Sequence, residues 1–263
     1  MNRRLQKILV PQVRSVARLG LVKYVHGTSA STTSARFPPN GGLHSVDHMR
    51  IGLLGTGNVA RALATGWQVA GHDVVLGSRS PKERGGAEEL RGFGVATLAE
   101  AAAHGDVLVN ATPGTASMDV LREIGAAALA GKVLVDVGVG FTAGAGGGME
   151  LSHPNYSLSE EIQAAYPDVF VVKTLATVDS VVMKDPGSLE EEATIFLSGD
   201  DAAAKGTVRR LLGDLGWAHA SQLDLGGIGT ARGQEHFALL FMGVAEAIGS
   251  YGFGIKVVRP RAA

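Results

Sequence analysis

The sequence contains no cysteine, and no apolar run approaches the length of about eighteen residues that a bilayer-spanning helix requires. The first absence excludes disulfide bonds, thiolate nucleophiles and cysteine-ligated metal sites. The second argues against insertion into a membrane. The net charge is −1, so no overall excess of basic residues points to nucleic acid as a partner.

Two familiar catalytic patterns are also missing. None of the four tyrosines is followed by a lysine four positions later, which excludes the Tyr-x-x-x-Lys pair of short-chain dehydrogenases. No Gly-x-Ser-x-Gly sequence occurs, so the strained turn that carries a catalytic serine is absent too. We therefore predict no catalytic side chain and no metal site. The expected reaction is one in which binding and orientation supply most of the rate enhancement.

Charge is unevenly divided along the chain. Residues 1–48 carry seven Lys or Arg residues and one acid, Asp47, so their net charge is +6 against −7 for the remainder. An Arg-rich stretch with Ser and Thr is typical of a transit peptide, although Met49 directly precedes the first predicted strand and is an alternative start. We predict a leader over 1–48, disordered or targeting. The expected compartment is the cytoplasm, with the mitochondrial matrix as the alternative.

The strongest positive signal begins at Arg50. Residues Arg50–Leu54 form a short apolar run that suits a buried parallel strand, and Gly55–Ala60 then follow the pattern G-x-G-x-x-A. In this pattern the first glycine permits a tight turn, and the second lets a pyrophosphate approach the backbone. The small third residue lets the next helix pack on the strand. The pattern predicts a dinucleotide bound at a helix N-terminus.

The residues after the second predicted strand, Asp73–Leu76, distinguish the two nicotinamide dinucleotides. NAD-preferring sites usually place a carboxylate about twenty residues beyond the glycines, where it binds the ribose hydroxyls. This chain has Ser78 and Arg79 there, with Lys82 and Arg84 just beyond. Hydroxyl and cationic groups bind a 2′-phosphate through charge-assisted hydrogen bonds, whereas a carboxylate repels it. We therefore predict NADP(H).

Strands and helices continue to alternate, which predicts an α/β protein with a doubly wound parallel sheet of the Rossmann type. We assign residues 49–180 to an NADP-binding domain and 181–263 to a small C-terminal α/β domain. Ligands of open α/β sheets lie beyond the carboxyl ends of the strands, so Thr112 and Pro113 are expected beside the nicotinamide ribose. The glycine-dense loop at 138–148 is interpreted as either a lid or a disordered surface insertion.

Several other elements are predicted with definite bounds. They are helices at Lys82–Arg91, Ala116–Ala128 and Gly229–Ser250, and a short strand at Trp217–Ala220. The apolar stripe of the last helix comprises Phe237, Leu240, Phe241, Val244 and Ile248. Near its start, Arg232, Glu235 and His236 share one face, either as substrate contacts or as part of a solvated or dimer-facing surface.

Seven short motifs occur together in a fixed order between Arg50 and about Arg259. They are GTGN (Gly55–Asn58), GHDVVLGSR (Gly71–Arg79), ATPG (Ala111–Gly114), VVKTL (Val171–Leu175), SGDD (Ser198–Asp201), TARGQE (Thr230–Glu235) and GIKVVR (Gly254–Arg259). Each motif is unspecific alone. In this order they resemble the F420-dependent NADP oxidoreductase family, also called NADPH-dependent F420 reductases.

The resemblance implies hydride transfer between C4 of the nicotinamide and C5 of the deazaflavin F420, without a protein nucleophile. It also implies a homodimer that binds small-molecule cofactors. By position, the glycine loop would hold the pyrophosphate, the loop after the second strand the 2′-phosphate, and later strand ends the nicotinamide. The predicted cofactor-binding residues are Gly55, Thr56, Gly57, Asn58, Val59, Ser78, Arg79, Lys82, Thr112, Pro113, Val137 and Ala176.

Two departures from the family pattern lie on the hydride side of the predicted site. Many relatives have a Gly-Asn-Pro type turn where this chain has Val137–Phe141, and many have Asn in the loop after the sixth strand, at Thr174–Val178. These departures leave the predicted NADP binding intact, but they allow second substrates other than F420. The alternatives are an NADPH-dependent reductase of a flavin, quinone or ferric chelate, and a non-catalytic NADP(H)-sensing module.

The 2′-phosphate assignment is tested by Arg79→Glu. This change replaces a cation by a carboxylate that repels the phosphate, so the Michaelis constant for NADPH is expected to rise far more than that for NADH. Steady-state kinetics with both dinucleotides measures the difference. An equal rise for both would refute the assignment.

Overall fold

A six-stranded parallel sheet forms the centre of the computed structural model, which describes residues 48–144 and 148–260. The predicted leader, except for its last residue His48, lies outside the described residues. So do residues 145–147 of the glycine-dense loop and the last three residues of the chain.

The order of the strands defines the class of fold. The strands are β1 (Arg50–Leu54), β2 (Asp73–Ser78), β3 (Gly94–Thr97), β4 (Val107–Asn110), β5 (Val133–Asp136), β6 (Phe141–Ala143), β7 (Met149–Leu151), β8 (Phe170–Lys173), β9 (Ile195–Leu197) and β10 (Gln222–Asp224). The central sheet has the order β3-β2-β1-β4-β5-β8, and all its pairs are parallel. This is the doubly wound Rossmann order, in which β1 and β4 meet where the winding direction reverses. The predicted fold class is confirmed.

Helices cover both faces of this sheet. They are α1 (Asn58–Val69), α2 (Pro81–Arg84), α3 (Leu98–His104), α4 (Gly114–Ile124), α5 (Ala126–Leu129), α6 (Leu158–Ala165), α7 (Ser180–Lys184), α8 (Ala202–Asp214) and α9 (Ala231–Ile248). Both α3 and α6 begin with a capping box, in which the side chains of the N-cap residue and of the glutamate three residues later bond to each other's backbone N–H. These caps explain where the two helices start.

The core consists of two apolar clusters, one on each face of the sheet. Successive side chains of a strand point to opposite faces, so β1 supplies Ile51 and Leu53 to one cluster and Leu54 to the other. In the first cluster the indole N–H of Trp67 donates to the carbonyl of Leu211 over 3.0 Å, which joins α1 to α8. Burial on both faces explains why the central strands are almost uninterrupted apolar runs.

Two smaller sheets lie outside the central one. Strand β6, within the glycine-dense loop, pairs in antiparallel fashion with β7, which directly follows the loop. Strand β9 pairs in parallel with β10, and an isolated bridge between Lys173 and Ser198 connects it to the end of β8. The later elements are thereby attached at the carboxyl edge of the central sheet.

Three predicted elements need correction. The helix expected at Lys82–Arg91 is only α2 followed by a 3₁₀ turn at Glu88–Leu90, because Gly85 and Gly86 interrupt it. The helix expected at Ala116–Ala128 begins earlier, at Gly114, and divides into α4 and α5. The division lies at Gly125, whose φ of 87° ends a helix.

The prediction of a strand at Trp217–Ala220 is wrong, because the strand of this region lies further along the chain, in β10. Trp217 follows a turn at Gly216, where φ is 96°, and its ring is buried in the first cluster. Its indole N–H donates to the carbonyl of Met183 over 3.0 Å. The aromatic residue therefore reports tertiary burial and not strand pairing.

The buried face of α9 is also not the predicted stripe. Leu240 and Ile248 are 60% and 55% exposed, whereas small and polar side chains point inward. The buried residues are Ala231, Gln234, Glu235, Ala238 and Ala245. Periodicity alone selected the most apolar face, but the helix packs the face that bonds to the end of β8.

Of the described residues, none belongs to a helix that is both long and apolar enough to cross a membrane. The domain boundary at residue 180 and the cellular compartment remain predictions.

A bidentate ion pair between Arg232 of α9 and Glu160 of α6 leads to a pH-dependent prediction. The hydrogen bonds from Arg232 hold the pKa of Glu160 below its usual value. A lowered carboxyl pKa stabilises the fold at neutral pH, and this stability is lost as the pH falls. Arg232→Gln is expected to reduce the free energy of unfolding at neutral pH, by a small amount because the arginine is exposed to solvent.

The stability deficit of this variant should shrink as the pH falls below the ordinary glutamate pKa of about 4.3. Urea unfolding at several pH values measures it. The control is Arg122→Gln, which breaks a solvent-exposed pair with Asp119 and should change little. A deficit that stays constant with pH would contradict the assignment.

Candidate functional site

A groove follows the carboxyl edge of the sheet where β1 and β4 lie side by side. It consists of two adjoining cavities of about 380 and 420 Å³. Both are lined by Gly57 and by the loop Ala111–Pro113 after β4, so the two cavities adjoin each other at these residues. This is the position at which doubly wound sheets bind dinucleotides.

The two glycines of the loop after β1 differ in what surrounds them. Gly55 has φ of 122°, and a Cβ there would lie 2.8 Å from the carbonyl oxygen of Ala111, so the fold itself requires glycine. Gly57 has an ordinary backbone conformation, and a Cβ there would meet no heavy atom within 4 Å. The absent side chain of Gly57 therefore leaves room in the groove that no protein atom uses.

The start of α1 faces this room and suits an anion. Its N-cap is Gly57, which offers no side chain to its first N–H groups, and its first turn has no acidic residue. Such N–H groups carry partial positive charge and lack partners within the helix. Arg61 holds the loop in place by donating to the carbonyl of Thr56 over 2.9 Å and to Oδ1 of Asn58 over 2.7 Å. The residues present fit a pyrophosphate.

The first cavity ends at the loop after β2. Ser78, Arg79 and Arg84 line it, whereas Lys82 is exposed and does not. Arg84 also lies 3.3 Å from a carboxylate oxygen of Glu89. This end of the groove therefore carries the guanidinium groups of Arg79 and Arg84 beside the carboxylate of Glu83.

The second cavity is apolar. It lies beyond the carboxyl ends of β4, β5 and β8 and receives residues from the start of α1 and from α9. Its lining is Gly57, Asn58, Val59, Ala111, Thr112, Pro113, Val137, Gly138, Val139, Phe141, Ala176, Val178, Met183, Ala238, Phe241 and Met242. None of these described residues has an ionisable side chain. The cavity brings together the six residues predicted for the start of α1 and the nicotinamide side: Asn58, Val59, Thr112, Pro113, Val137 and Ala176.

A buried polar network lies directly beneath this apolar cavity. The Thr112 hydroxyl donates to Oδ1 of Asn110 over 2.6 Å, and the amide nitrogen of Asn110 donates to Oδ1 of Asp136 over 2.8 Å. Ser159 donates to the second oxygen of Asp136 over 2.5 Å. The network thus connects the ends of β4 and β5 with α6.

The network continues to Lys173, whose side chain is fully buried between two carboxylates. Its Nζ lies 3.1 Å from Asp136 and 2.8 Å from Glu235, which also accepts the backbone N–H of Leu158 over 3.0 Å. Burial disfavours the ammonium, but the two carboxylates outweigh it and raise the pKa of Lys173 above its ordinary value. The lysine therefore stays charged at neutral pH.

The turn after β8 is strained. Leu175 is buried and has φ of 61°, a conformation that residues other than glycine rarely adopt. The preceding residue, Thr174, is held by a bond from its N–H to the carbonyl of Asp136 and by one from its hydroxyl to the carbonyl of Phe196. These contacts support the strain and direct Ala176 into the second cavity.

The trio Arg232, Glu235 and His236 does not line either cavity. Arg232 pairs with Glu160, and His236 lies 3.1 Å from the carbonyl of Pro154. Glu235 belongs to the buried network. The sequence interpretation missed this network, although one signal was available. Each of the apolar strands β4, β5 and β8 ends in a polar residue, and these residues are Asn110, Asp136 and Lys173.

Comparison with known proteins assigns the chain to a class. Residues 50–140 match the family model described as NADP oxidoreductase, coenzyme F420-dependent. A crystal structure from Arthrobacter sp. FB24, provisionally described as an F420-dependent NADP-reductase, is 38% identical with a TM-score of 0.75. The match covers 80% of this chain and all of that one. The chain therefore belongs to the F420-dependent NADP oxidoreductase family, whose members are NADP-dependent oxidoreductases.

Two more distant similarities were found. Metalloreductase STEAP3 of Rattus norvegicus is 27% identical over 222 residues, which are 80% of this chain. The chain spans only 43% of the length of that relative. An imine reductase from Myxococcus stipitatus in complex with NADP⁺ is 20% identical with a TM-score of 0.54, over 76% of this chain and 63% of that one. This last similarity supports the fold alone.

The different surroundings of the two glycines lead to a paired prediction. Gly57→Ala adds a methyl group where no protein atom is near, so it should leave stability nearly unchanged and weaken NADPH binding at least about tenfold. Gly55→Ala should instead lower the thermal stability, because its Cβ would meet the Ala111 carbonyl at a strained φ.

Thermal unfolding and NADPH calorimetry on both variants test this pair. Unchanged NADPH affinity in Gly57→Ala would show that the pyrophosphate does not approach this residue. A stable Gly55→Ala protein would contradict the predicted backbone strain.

Proposed function

We propose that this protein transfers a hydride between NADP(H) and the deazaflavin coenzyme F420. The observation that carries the proposal is the apolar cavity that continues the dinucleotide groove and has no ionisable lining residue in the described chain. Such a cavity suits a planar conjugated ring placed against the nicotinamide. A carbonyl or imine substrate would need a proton donor close to the reacting atom, and no lining side chain here is an acid.

Hydride transfer requires little of the protein beyond the placement of the two rings. A bound NADPH would supply the hydride, with its two electrons, from C4 of the nicotinamide. The acceptor ring would take that hydride at C5 and one proton from water, which would leave NADP⁺. The ring delocalises the charge that arrives, so orientation of the two rings and exclusion of water are the contributions left to the apolar lining.

The cofactor-binding residues have distinct proposed roles. The loop from Gly55 to Val59, which includes Thr56, Gly57 and Asn58, would hold the pyrophosphate on the free N–H groups of α1. Ser78 and Arg79 would bind the 2′-phosphate, and Arg84 lines the cavity where Lys82 does not. Thr112, Pro113, Val137 and Ala176 would contact the nicotinamide side, together with Gly138, which also lines the cavity.

A second copy of this chain is the proposed partner. Helix α9 and the residues after it leave several large apolar side chains exposed, among them Leu240 at 60% and Val258 at 81%. An exposed apolar surface is typical of a protein interface. The homodimer implied by the family resemblance would cover it.

The similarity to a metalloreductase favours one alternative, an NADPH-dependent reductase of another acceptor such as a flavin, quinone or ferric chelate. The proposed NADPH site is the same in both cases. The two functions differ in what enters the apolar cavity.

The test is an absorbance assay on the protein that begins at Met49. Oxidised F420 mixed with this protein and NADPH is expected to lose its absorbance rapidly. The same mixture with NADH should react much more slowly, because NADH lacks the 2′-phosphate that Ser78 and Arg79 would bind.

The controls distinguish the identity of the hydride acceptor from the binding of NADPH. Flavin, quinone and ferric chelate replace F420 in parallel mixtures, and calorimetry confirms that NADPH binds. Reduction of one of these and not of F420 would establish the alternative. Tight NADPH binding with no acceptor reduced would refute a hydride-transfer function and favour an NADP(H)-sensing module.

A further inference from the structure

Gly138 has both of its backbone hydrogen-bonding groups held by the buried charged side chains beneath the apolar cavity. Its N–H donates to Oδ1 of Asp136 over 3.1 Å. Its carbonyl oxygen accepts a short hydrogen bond from Nζ of Lys173. The orientation of this peptide unit is therefore set by one aspartate and one lysine, both fully buried.

This peptide unit forms part of the cavity wall. Val137, Gly138 and Val139 all line the cavity in which the nicotinamide and its acceptor would meet. Gly138 is closely packed, because a Cβ on it would lie 3.2 Å from both Asp136 and Leu158. The carbonyl of Val139 accepts the N–H of Gly114 over 3.3 Å, which joins this wall to the loop after β4.

Stability alone does not account for a charge at Lys173. The desolvation cost of a buried ion pair roughly cancels its electrostatic gain, and well-packed apolar side chains often serve as well or better. An apolar side chain cannot, however, donate a hydrogen bond to a carbonyl oxygen at the cavity wall. The ammonium of Lys173 supplies that donor to the Gly138 carbonyl. The carboxylates of Asp136 and Glu235 keep it protonated.

We propose that Lys173 is a positioning residue for hydride transfer, which holds the Gly138 carbonyl and thereby fixes the Val137–Val139 wall against the nicotinamide. This inference rests on the proposed function for the identity of the reaction. It assigns Lys173 no contact with either substrate. Its effect is on the alignment of the rings, to which hydride transfer is sensitive, and not on the affinity of the phosphate groups in the distant part of the groove.

The choice of variants follows from the charges. Lys173→Met alone leaves Asp136 and Glu235 buried without a cation, so it is expected to fold poorly. The double variant Lys173→Met/Glu235→Gln keeps the net charge of the cluster at −1 and removes the donor to Gly138. Glu235→Gln alone is the matched control, because it keeps the bonds of Lys173 to Asp136 and Gly138.

The experiment compares the double variant, the control and the wild-type protein. NADPH affinity is measured by calorimetry, the order of the bound nicotinamide by its fluorescence emission, and hydride transfer by the loss of F420 absorbance in a single turnover. For the double variant we expect NADPH affinity within about threefold, emission shifted towards that of free NADPH, and hydride transfer slowed at least about tenfold. The control should stay close to wild type in all three measurements.

Each contrary outcome has a definite meaning. Wild-type emission and transfer rate in the folded double variant would overturn the proposal, as would an equal loss in the control. If the wild-type protein binds NADPH but reduces no F420, the proposed function fails, and the emission comparison still decides the role of Lys173. A double variant that does not fold would assign Lys173 a structural role and overturn the proposal. Absence of NADPH binding in the wild type would overturn both.

Discussion

The ammonium group of Lys173 lies between the carboxylates of Asp136 and Glu235, without access to water, and this arrangement constrains the elements around the apolar cavity. Each of the three charges comes from a different element: β5, β8 and α9. Removing Lys173 would leave two buried carboxylates without a cation, so the three elements must meet in one geometry. The neutral side chains of Asn110 and Ser159 extend the same constraint to β4 and α6.

The two halves of the groove are built in different ways. The proposed phosphate half combines backbone groups of one continuous segment, from Gly55 into α1, with side chains of the loop after β2. The other half collects single residues from strand ends that are far apart in sequence. It holds them with the buried network and with a strained turn at Leu175. This division fits a protein that binds one common cofactor and must position a second, more particular substrate.

Sequence reasoning succeeded where the determining contacts are local. The parallel strands, the turn at Gly55, the helix after it and the basic loop after β2 were all predicted and are present. It failed where tertiary contacts outweigh a local pattern. Helix α9 was expected to bury its most apolar stripe, yet it buries Glu235, because that carboxylate meets Lys173 from another element. The segment at Trp217 was expected to be a strand, but instead its indole ring packs in the apolar core.

By itself the sequence determined the Rossmann fold and the glycine turn at the start of α1, because residue spacing within one strand, turn and helix dictates both. The tertiary structure decided the rest. The exposed position of Lys82, the cavity lining contributed by Arg84 and the apolar character of the second cavity depend on which side chains meet across the sheet edge. So does the anchoring of Gly138 by Lys173, since two residues thirty-five positions apart come into contact only when parallel strands β5 and β8 are aligned.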